Sequence, residues 1–456
     1  MFKLRPYQQR GVDEALAYIN DRADLSKAIE IAPTGAGKSL YIAAIANEVD
    51  FPIIVLQPSK ELLKQNYDKY ISYGNEASIY SASAKKRELG HVTFATIGSI
   101  IKEVEQIKTM GVKLVLIDEA HLQTKHSSLT AKFIKGIGVT KVIGFTATPI
   151  ELRASMYGAF LMMITDSRKN IFNKIIHVTQ IKEVVEQNYW AKIKYEEYKV
   201  DKKDLVLNST GADYTENSLR KFFQANNLHE KVLAQVERLR AQGRKSILLF
   251  MPSIHEAEAI SKIIDGCYAV SSNTPQTERD EIITKFKNKE IDVVANVNIL
   301  SVGFDHPELD AIIMLRPTQS FAIYYQQAGR GVRPHPNKKD LLIIDLSGNI
   351  KEFGTLENIS FERKDDSWVM LSGNRRLTNK KIVPTLSNTI DNTYFEDLFK
   401  PKPMKIWFGK HNGKLVKDIP VDYLKWLMNG MIPPYSEKMK LFRKETERHL
   451  LRLQKA

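Results

Sequence analysis

One cysteine in 456 residues, Cys267, leaves no partner for an intrachain disulfide and no second thiolate for a multi-cysteine zinc site. That scarcity fits a reducing compartment, so the expected location is the cytoplasm (the host cytoplasm, were the chain phage-encoded). Long apolar runs are scarce as well. The longest candidate, YGAFLMMIT at 157–165, is about half of the roughly 18 residues a membrane-spanning helix needs, and no membrane partner is expected. The first ten residues, MFKLRPYQQR, have no apolar h-region of a secretory signal. Negative charge is in deficit: 67 Lys and Arg face 53 Asp and Glu, a net +14. The imbalance is uneven, because residues 351–456 hold 21 basic against 13 acidic side chains. A polyanionic partner is the physical implication, with the last quarter a candidate module for it; a solvated basic surface is the alternative.

What is present is a repeated strand–helix rhythm in a chain too long for one core. AIEIA, IIVLQP, VTFAT, KLVLIDEA and KVIGFTATP read as strands buried on both faces of a parallel sheet. SILLFMP, VVANV, AIIMLRP and LLIIDL repeat the pattern at 246–346, with helical stretches such as HEAEAISKII between them. Two doubly wound α/β domains are therefore expected in tandem. The boundaries drawn are 1–150 for the first, 151–225 for a connecting or inserted segment, 226–350 for the second and 351–456 for a small basic C-terminal region.

AIEIAPTGAGKSL is a strand, a glycine-rich loop and a helix start, matching the phosphate-loop pattern except for Ala32 at the first glycine. Thr34, Gly35, Ala36 and Gly37 form the loop that would turn backbone N–H groups toward a triphosphate. Lys38 would reach the β- and γ-phosphates and Ser39 would ligate Mg²⁺. Eighty-one residues after Gly37, LVLIDEAH ends a strand on two adjacent carboxylates. Asp118 suits a Mg²⁺ ligand, Glu119 a base that orients attacking water, and His121 a link to the second block. There, YYQQAGRGVRP sets Arg330 and Arg333 three residues apart behind Gln326. Two such cations would stabilise charge developing on a transferred phosphoryl group if the two domains met over ATP.

With these residues in hand, the chain resembles the superfamily-two helicases and translocases over about residues 1–350. LRPYQ looks like the family's adenine-recognition motif, with Arg5 and Gln8 as contacts. LQPSKELLKQ and TFATIGS resemble segments that grip the nucleic-acid backbone, which would make Ser59, Lys60 and Thr96 contacts. GFTATP is similar to the element that couples hydrolysis to domain movement, and Thr146 within it is a further candidate backbone contact. NVNILSVGFDHPELD resembles the second-domain motif that brings Gly303 and Asp305 near the nucleotide, and QQAGRGVR the arginine-finger motif. The resemblance implies two RecA-like domains, ATP with Mg²⁺, and a DNA partner, alongside other replication or recombination proteins. Among family members the motif set looks nearest to bacteriophage branch-migration helicases, which implies remodelling of forks, flaps or four-way junctions.

Rival readings are an RNA helicase, the motor of a restriction or repair nuclease complex, and a clamp that kept the fold without catalysis. E-x-K triplets such as Glu197-Tyr198-Lys199 have no Pro-Asp pair upstream, which argues against a nuclease in this chain. Intact Lys38, Asp118, Glu119, Arg330 and Arg333 argue against the clamp. FGKHNGKLVKDIPVDYLKWLMNG (408–430) resembles a small module of obscure function. Gly409 and Gly413 suit a turn, and Tyr423, Trp426 and Leu427 fall on one helical face. Two readings stand: a phosphate grip of Lys410, His411 and Lys414 beside a stacking aromatic, or a small core with a solvated turn. The final segment, 436–456, reads as an amphipathic basic helix.

Overall fold

The computed structural model describes residues 3–155, 158–208, 212–300, 304–364, 367–378 and 381–382, and beyond them 406, 410–411, 414–428, 442, 446 and 450. In chain order the first ten strands are β1 (Ala28–Ile31), β2 (Ile53–Gln57), β3 (Ser78–Ser81), β4 (Lys86–Arg87), β5 (Val92–Thr96), β6 (Leu114–Asp118), β7 (Lys141–Thr146), β8 (Ile150–Ser155), β9 (Gly158–Met163) and β10 (Lys174–Val178). Eight of them form one sheet in the order β10-β1-β7-β6-β2-β5-β3-β4, parallel except for the β3–β4 hairpin. Every residue of β1, β2, β6 and β7 is buried. Helices cover both faces of such a sheet, so its central strands read as continuous apolar runs rather than alternating ones.

The second sheet is wholly parallel: β11 (Ile193–Glu197), β12 (Ile247–Phe250), β13 (Cys267–Val270), β14 (Val293–Asn296), β15 (Ala311–Met314) and β16 (Leu341–Asp345), ordered β11-β16-β15-β12-β14-β13. A third, antiparallel sheet follows from β17 (Ile359–Lys364), β18 (Ser367–Ser372) and β19 (Arg375–Arg376), and β20 (Lys381–Ile382) pairs with β9. The protein is thus an α/β fold with two doubly wound parallel sheets in tandem. No helix among the described residues is long and apolar enough to cross a membrane.

Residues 151–225, expected as a connection or insertion, supply an edge strand to each parallel sheet: β10 to the first and β11 to the second. Both are half-exposed and mix polar with apolar residues, so a search for apolar runs passes over them. The region after 350 also divides. Its strands β17–β19 belong to the larger of two compact units, with both parallel sheets, and a smaller unit holds the described residues from Ile406 onward. The β17 edge is closed by a side chain: Gln180 Nε2 donates to Phe361 O at 2.6 Å and Gln180 Oε1 accepts from Phe361 N at 3.1 Å. Of the expected terminal helix 436–456, only Phe442, Thr446 and Leu450 are described; Gly409 and Gly413 of the expected turn lie outside the described residues.

Candidate active site

The loop between β1 and the helix Lys38–Glu48 is shaped by two glycines. Gly35 (φ +77°) and Gly37 (φ +88°) adopt the left-handed conformation, in which an L side chain is strained. A Cβ on Gly37 would also come within 2.6 Å of Gln8 Nε2. That amide donates to Ala36 O at 2.8 Å, and the Tyr7 hydroxyl reaches the same carbonyl at 3.2 Å. Gln8 Oε1 meanwhile accepts from Arg5 N at 2.9 Å. Gln8 therefore caps the helix Pro6–Asn20 and buttresses the phosphate loop at once. The Arg5 guanidinium lies 3.6 Å from the ring centroid of Tyr189 and donates to the Tyr7 hydroxyl at 2.9 Å. Trp190, next in the chain, donates from Nε1 to Thr34 O at 2.9 Å. Tyr189 and Trp190 are not singled out in the sequence, where the one available signal is an aromatic pair inside the segment 151–225.

Strand β6 carries Asp118 at its buried end. Glu119 follows in the left-handed region (φ 47°, ψ 49°), a conformation costing roughly 1–2 kcal/mol for a residue with a Cβ. Its two oxygens are engaged: Lys38 Nζ donates to Oε1 at 2.7 Å, and His121 Nδ1 lies 3.5 Å from Oε2. Burial resists ionisation of Glu119, but Lys38 foremost and then His121 hold its carboxyl below the usual range. Asp118 goes the other way. Burial first, and the Glu119 charge second, push it up to about 6. Asn66, which the sequence did not flag, joins the two expected metal ligands. Its amide donates to Asp118 Oδ2 at 2.8 Å and to Gln57 Oε1 at 3.0 Å, while its Oδ1 accepts from the Ser39 hydroxyl. Ser39 and Asp118 thus stand one side chain apart, a hard-oxygen pair of the kind that suits Mg²⁺ with phosphate oxygens.

The second sheet brings its own residues to the same cleft. Pro33–Gly35, Gly37–Ser39, Asn66, Asp118 and Glu119 line one side, and Phe304, Asp305, Arg330 and Arg333 the other. Arg330 is held by Gln326 O (3.1 Å) and Phe304 O (3.0 Å); burial pushes its guanidinium down to about 10, so it stays protonated. Arg333 pairs with Asp305. Beneath them Lys338, another residue not read from the sequence, donates to Pro307 O (3.0 Å), Gly331 O (2.5 Å) and Arg333 O (2.7 Å). One ammonium thereby clips the arginine-bearing loop to the loop carrying Asp305. Gly303 lies outside the described residues.

His121 joins the two sides. Gln326 Nε2 approaches its Nε2 at 3.2 Å, and its Nδ1 meets Thr146 Oγ1 at 2.9 Å. Burial, ahead of the opposing pull of Glu119, holds the imidazole below its usual range, so it is neutral at pH 7. A neutral ring that accepts from Gln326 at Nε2 carries its proton on Nδ1 and donates it to Thr146. Thr146 therefore differs from its expected place on a nucleic-acid face. It is fully buried, and its hydroxyl also accepts from Thr148 N at 3.0 Å. Ser59, Lys60 and Thr96 do lie at the surface or partly so. β2 and β5 pair with Gln57 opposite Thr96, so the two segments leave the sheet side by side. Ser59 caps the helix Lys60–Ile71 through Leu62 N, and Thr96 bonds to Ser81 and Ser99 at 3.1 Å each.

A glycine-rich loop, an acid pair and two arginines from the second α/β domain thus line one cleft, the arrangement expected of a tandem-domain nucleoside-triphosphate site. Comparison with known proteins narrows the class. Residues 1–151 match the family model described as "Type III restriction enzyme, res subunit", and residues 229–335 match "Helicase conserved C-terminal domain". The two matches in this order, with helicases among the relatives, support a superfamily-two helicase or translocase. The chain is 29% identical over 371 residues to the ATP-dependent helicase candidate IRC3 of Saccharomyces cerevisiae, covering 76% of this chain and 51% of that one. It is 26% identical over 321 residues to a 51.5 kDa protein of a Lactococcus phage, covering 69% and 64%. The DNA-bound structure of the ATP-dependent Type ISP restriction-modification enzyme LlaBIII shares the fold, with a TM-score of 0.53 at 17% identity over 75% of this chain and 27% of that one. The chain thus spans between about a quarter and two thirds of the length of these proteins.

Proposed function

We propose that this chain is an ATP-driven DNA translocase or helicase that remodels branched duplexes during replication, recombination or repair. The observation that carries the reading is the single cleft in which Lys38, Ser39, Asp118 and Glu119 of one sheet face Asp305, Arg330 and Arg333 of the other. Lys38 and Arg333 each rest against a carboxylate there, which a triphosphate would displace. Gly35–Ser39 would cradle the phosphates, with Ser39 and Asp118 holding Mg²⁺. The metal supplies charge neutralisation on the phosphate oxygens. Glu119 would orient water, and Arg330 with Arg333 would stabilise charge on the transferred group. Arg5, Gln8 and Tyr189 flank the loop where a base would sit. Ser59, Lys60 and Thr96, at the carboxyl ends of adjacent strands, would meet the nucleic-acid backbone.

DNA is favoured over RNA by the res-subunit family model and by the DNA in the LlaBIII structure. Those same two likenesses favour a second reading, the motor of a restriction complex, which would require a separate nuclease partner. Cys267, single and buried, suits a reducing compartment such as the bacterial cytoplasm. The test of the cleft is Arg330→Ala: ATP affinity stays within about threefold while turnover falls by roughly 10³ or more. Equal loss of binding and turnover would contradict the assignment.

A further inference from the structure

The smaller unit has a core of its own in Ile406, Val416, Ile419, Leu424, Leu427 and Phe442. Its helix Val421–Trp426 turns Leu424 and Leu427 inward, yet Trp426 between them is 50% exposed. A small core that leaves its largest apolar ring in water forgoes stabilisation it could have had. The core reading of this segment therefore accounts for Leu427 but not for Trp426.

The exposed indole is not isolated. Its ring centroid lies 5.4 Å from that of Tyr423, tilted by 34°, and Tyr423 in turn meets His411 at 4.6 Å, edge to face. The turn that presents His411 is fixed by Lys414 N donating to His411 O (3.1 Å) and Ile406 N to Lys414 O (2.9 Å). Lys410, Lys414 and Lys425, close to these rings in the chain, are exposed, and among the described residues none forms an ion pair. The exposed carboxylates of this stretch are Asp418 and Asp422. A row of rings with exposed ammonium groups close by in the chain matches a polyanion that carries flat apolar faces.

Resting on the nucleic-acid reading above, we infer that Tyr423 and Trp426 form a stacking platform for an unpaired nucleobase, with Lys410, Lys414 and Lys425 receiving the adjoining phosphates. Stacking of this kind tolerates any base, since every base has a π-face. It gives a branch-remodelling motor a hold on a displaced strand.

The test uses the full chain and an oligothymidylate carrying photoreactive iodouracil. Cross-links map to the peptide containing Tyr423 and Trp426. Trp426→Ala abolishes them and weakens oligonucleotide binding by about tenfold, whereas Trp426→Phe retains both to within a few-fold. Blunt-duplex stimulation of the ATPase is unchanged in either variant. Cross-links confined to residues 1–378, with wild-type ATPase still stimulated by DNA, would overturn the platform alone. A wild type that neither binds nor responds to any nucleic acid would overturn the motor reading and the platform with it. If Trp426→Ala instead lost binding to phosphatidylserine vesicles and kept the oligonucleotide, the surface would be a membrane anchor and the inference would fail.

Discussion

His121 Nε2 lies 3.2 Å from the side-chain nitrogen of Gln326, a contact between residues 205 positions apart. The imidazole is in turn bonded to Thr146 and close to Glu119. Four residues from three motifs therefore share one chain of polar contacts, and a change at the acid pair can be felt on the second sheet.

Gln326→Ala breaks that chain without removing a group proposed to touch phosphate. ATP affinity should stay within about threefold, and the nucleic-acid-stimulated rate should fall on the order of tenfold to a hundredfold, as expected when a catalytic array is misaligned. Titrating ATP with and without polynucleotide checks this. An unchanged ratio of stimulated to basal rate would show that the contact carries no coupling.

Lys338 offers a second break point, behind the arginines rather than between the sheets. Lys338→Met keeps the bulk but leaves the carbonyls of Pro307, Gly331 and Arg333 without their shared donor. Turnover should drop on the order of tenfold with ATP affinity little altered, and a thermal melt separates this from general unfolding. Equal losses in both would make Lys338 a structural residue only.

Asp118 ties the site to pH. Its carboxyl is pushed from 3.8 up to about 6. Below about pH 4 it is protonated in folded and unfolded chains alike and costs nothing. As pH rises through about 4 to 6 the unfolded chain releases a proton that the folded one retains, so stability falls, and above about 6 the full penalty of roughly 3 kcal/mol is present. Nucleotide-free Asp118→Asn should therefore melt several degrees above wild type near pH 8, with the gain shrinking toward pH 4.5. A variant no more stable than wild type at about pH 8 would contradict this electrostatic picture.

The cleft was legible because its chemistry depends on contiguous motifs: Gly35–Ser39, Asp118–His121 and Gln326–Arg333 are each readable in one line of sequence. Asn66, Trp190 and Lys338 were not, because each acts through partners brought near only by folding: the Ser39 and Asp118 side chains for Asn66, main-chain carbonyls for Trp190 and Lys338. Thr146 was misassigned for a related reason. A hydroxyl at a strand end looks the same in sequence whether it faces solvent or, as here, a buried imidazole. In the fold, the central strands announced themselves as apolar runs, while β10 and β11 at the sheet edges did not. Trp426 shows the same limit in reverse, since helical periodicity groups it with Leu427 and only the packing separates them.

The most direct test of the central claim is steady-state ATPase activity with single-stranded DNA, linear duplex, a four-way junction and structured RNA. All four are compared at matched nucleotide concentration and one stated salt concentration, because phosphate-driven binding is steeply salt-dependent. The account predicts the strongest stimulation by the junction or the duplex and little by RNA. Preferential stimulation by RNA, or none by any of the four, would contradict it.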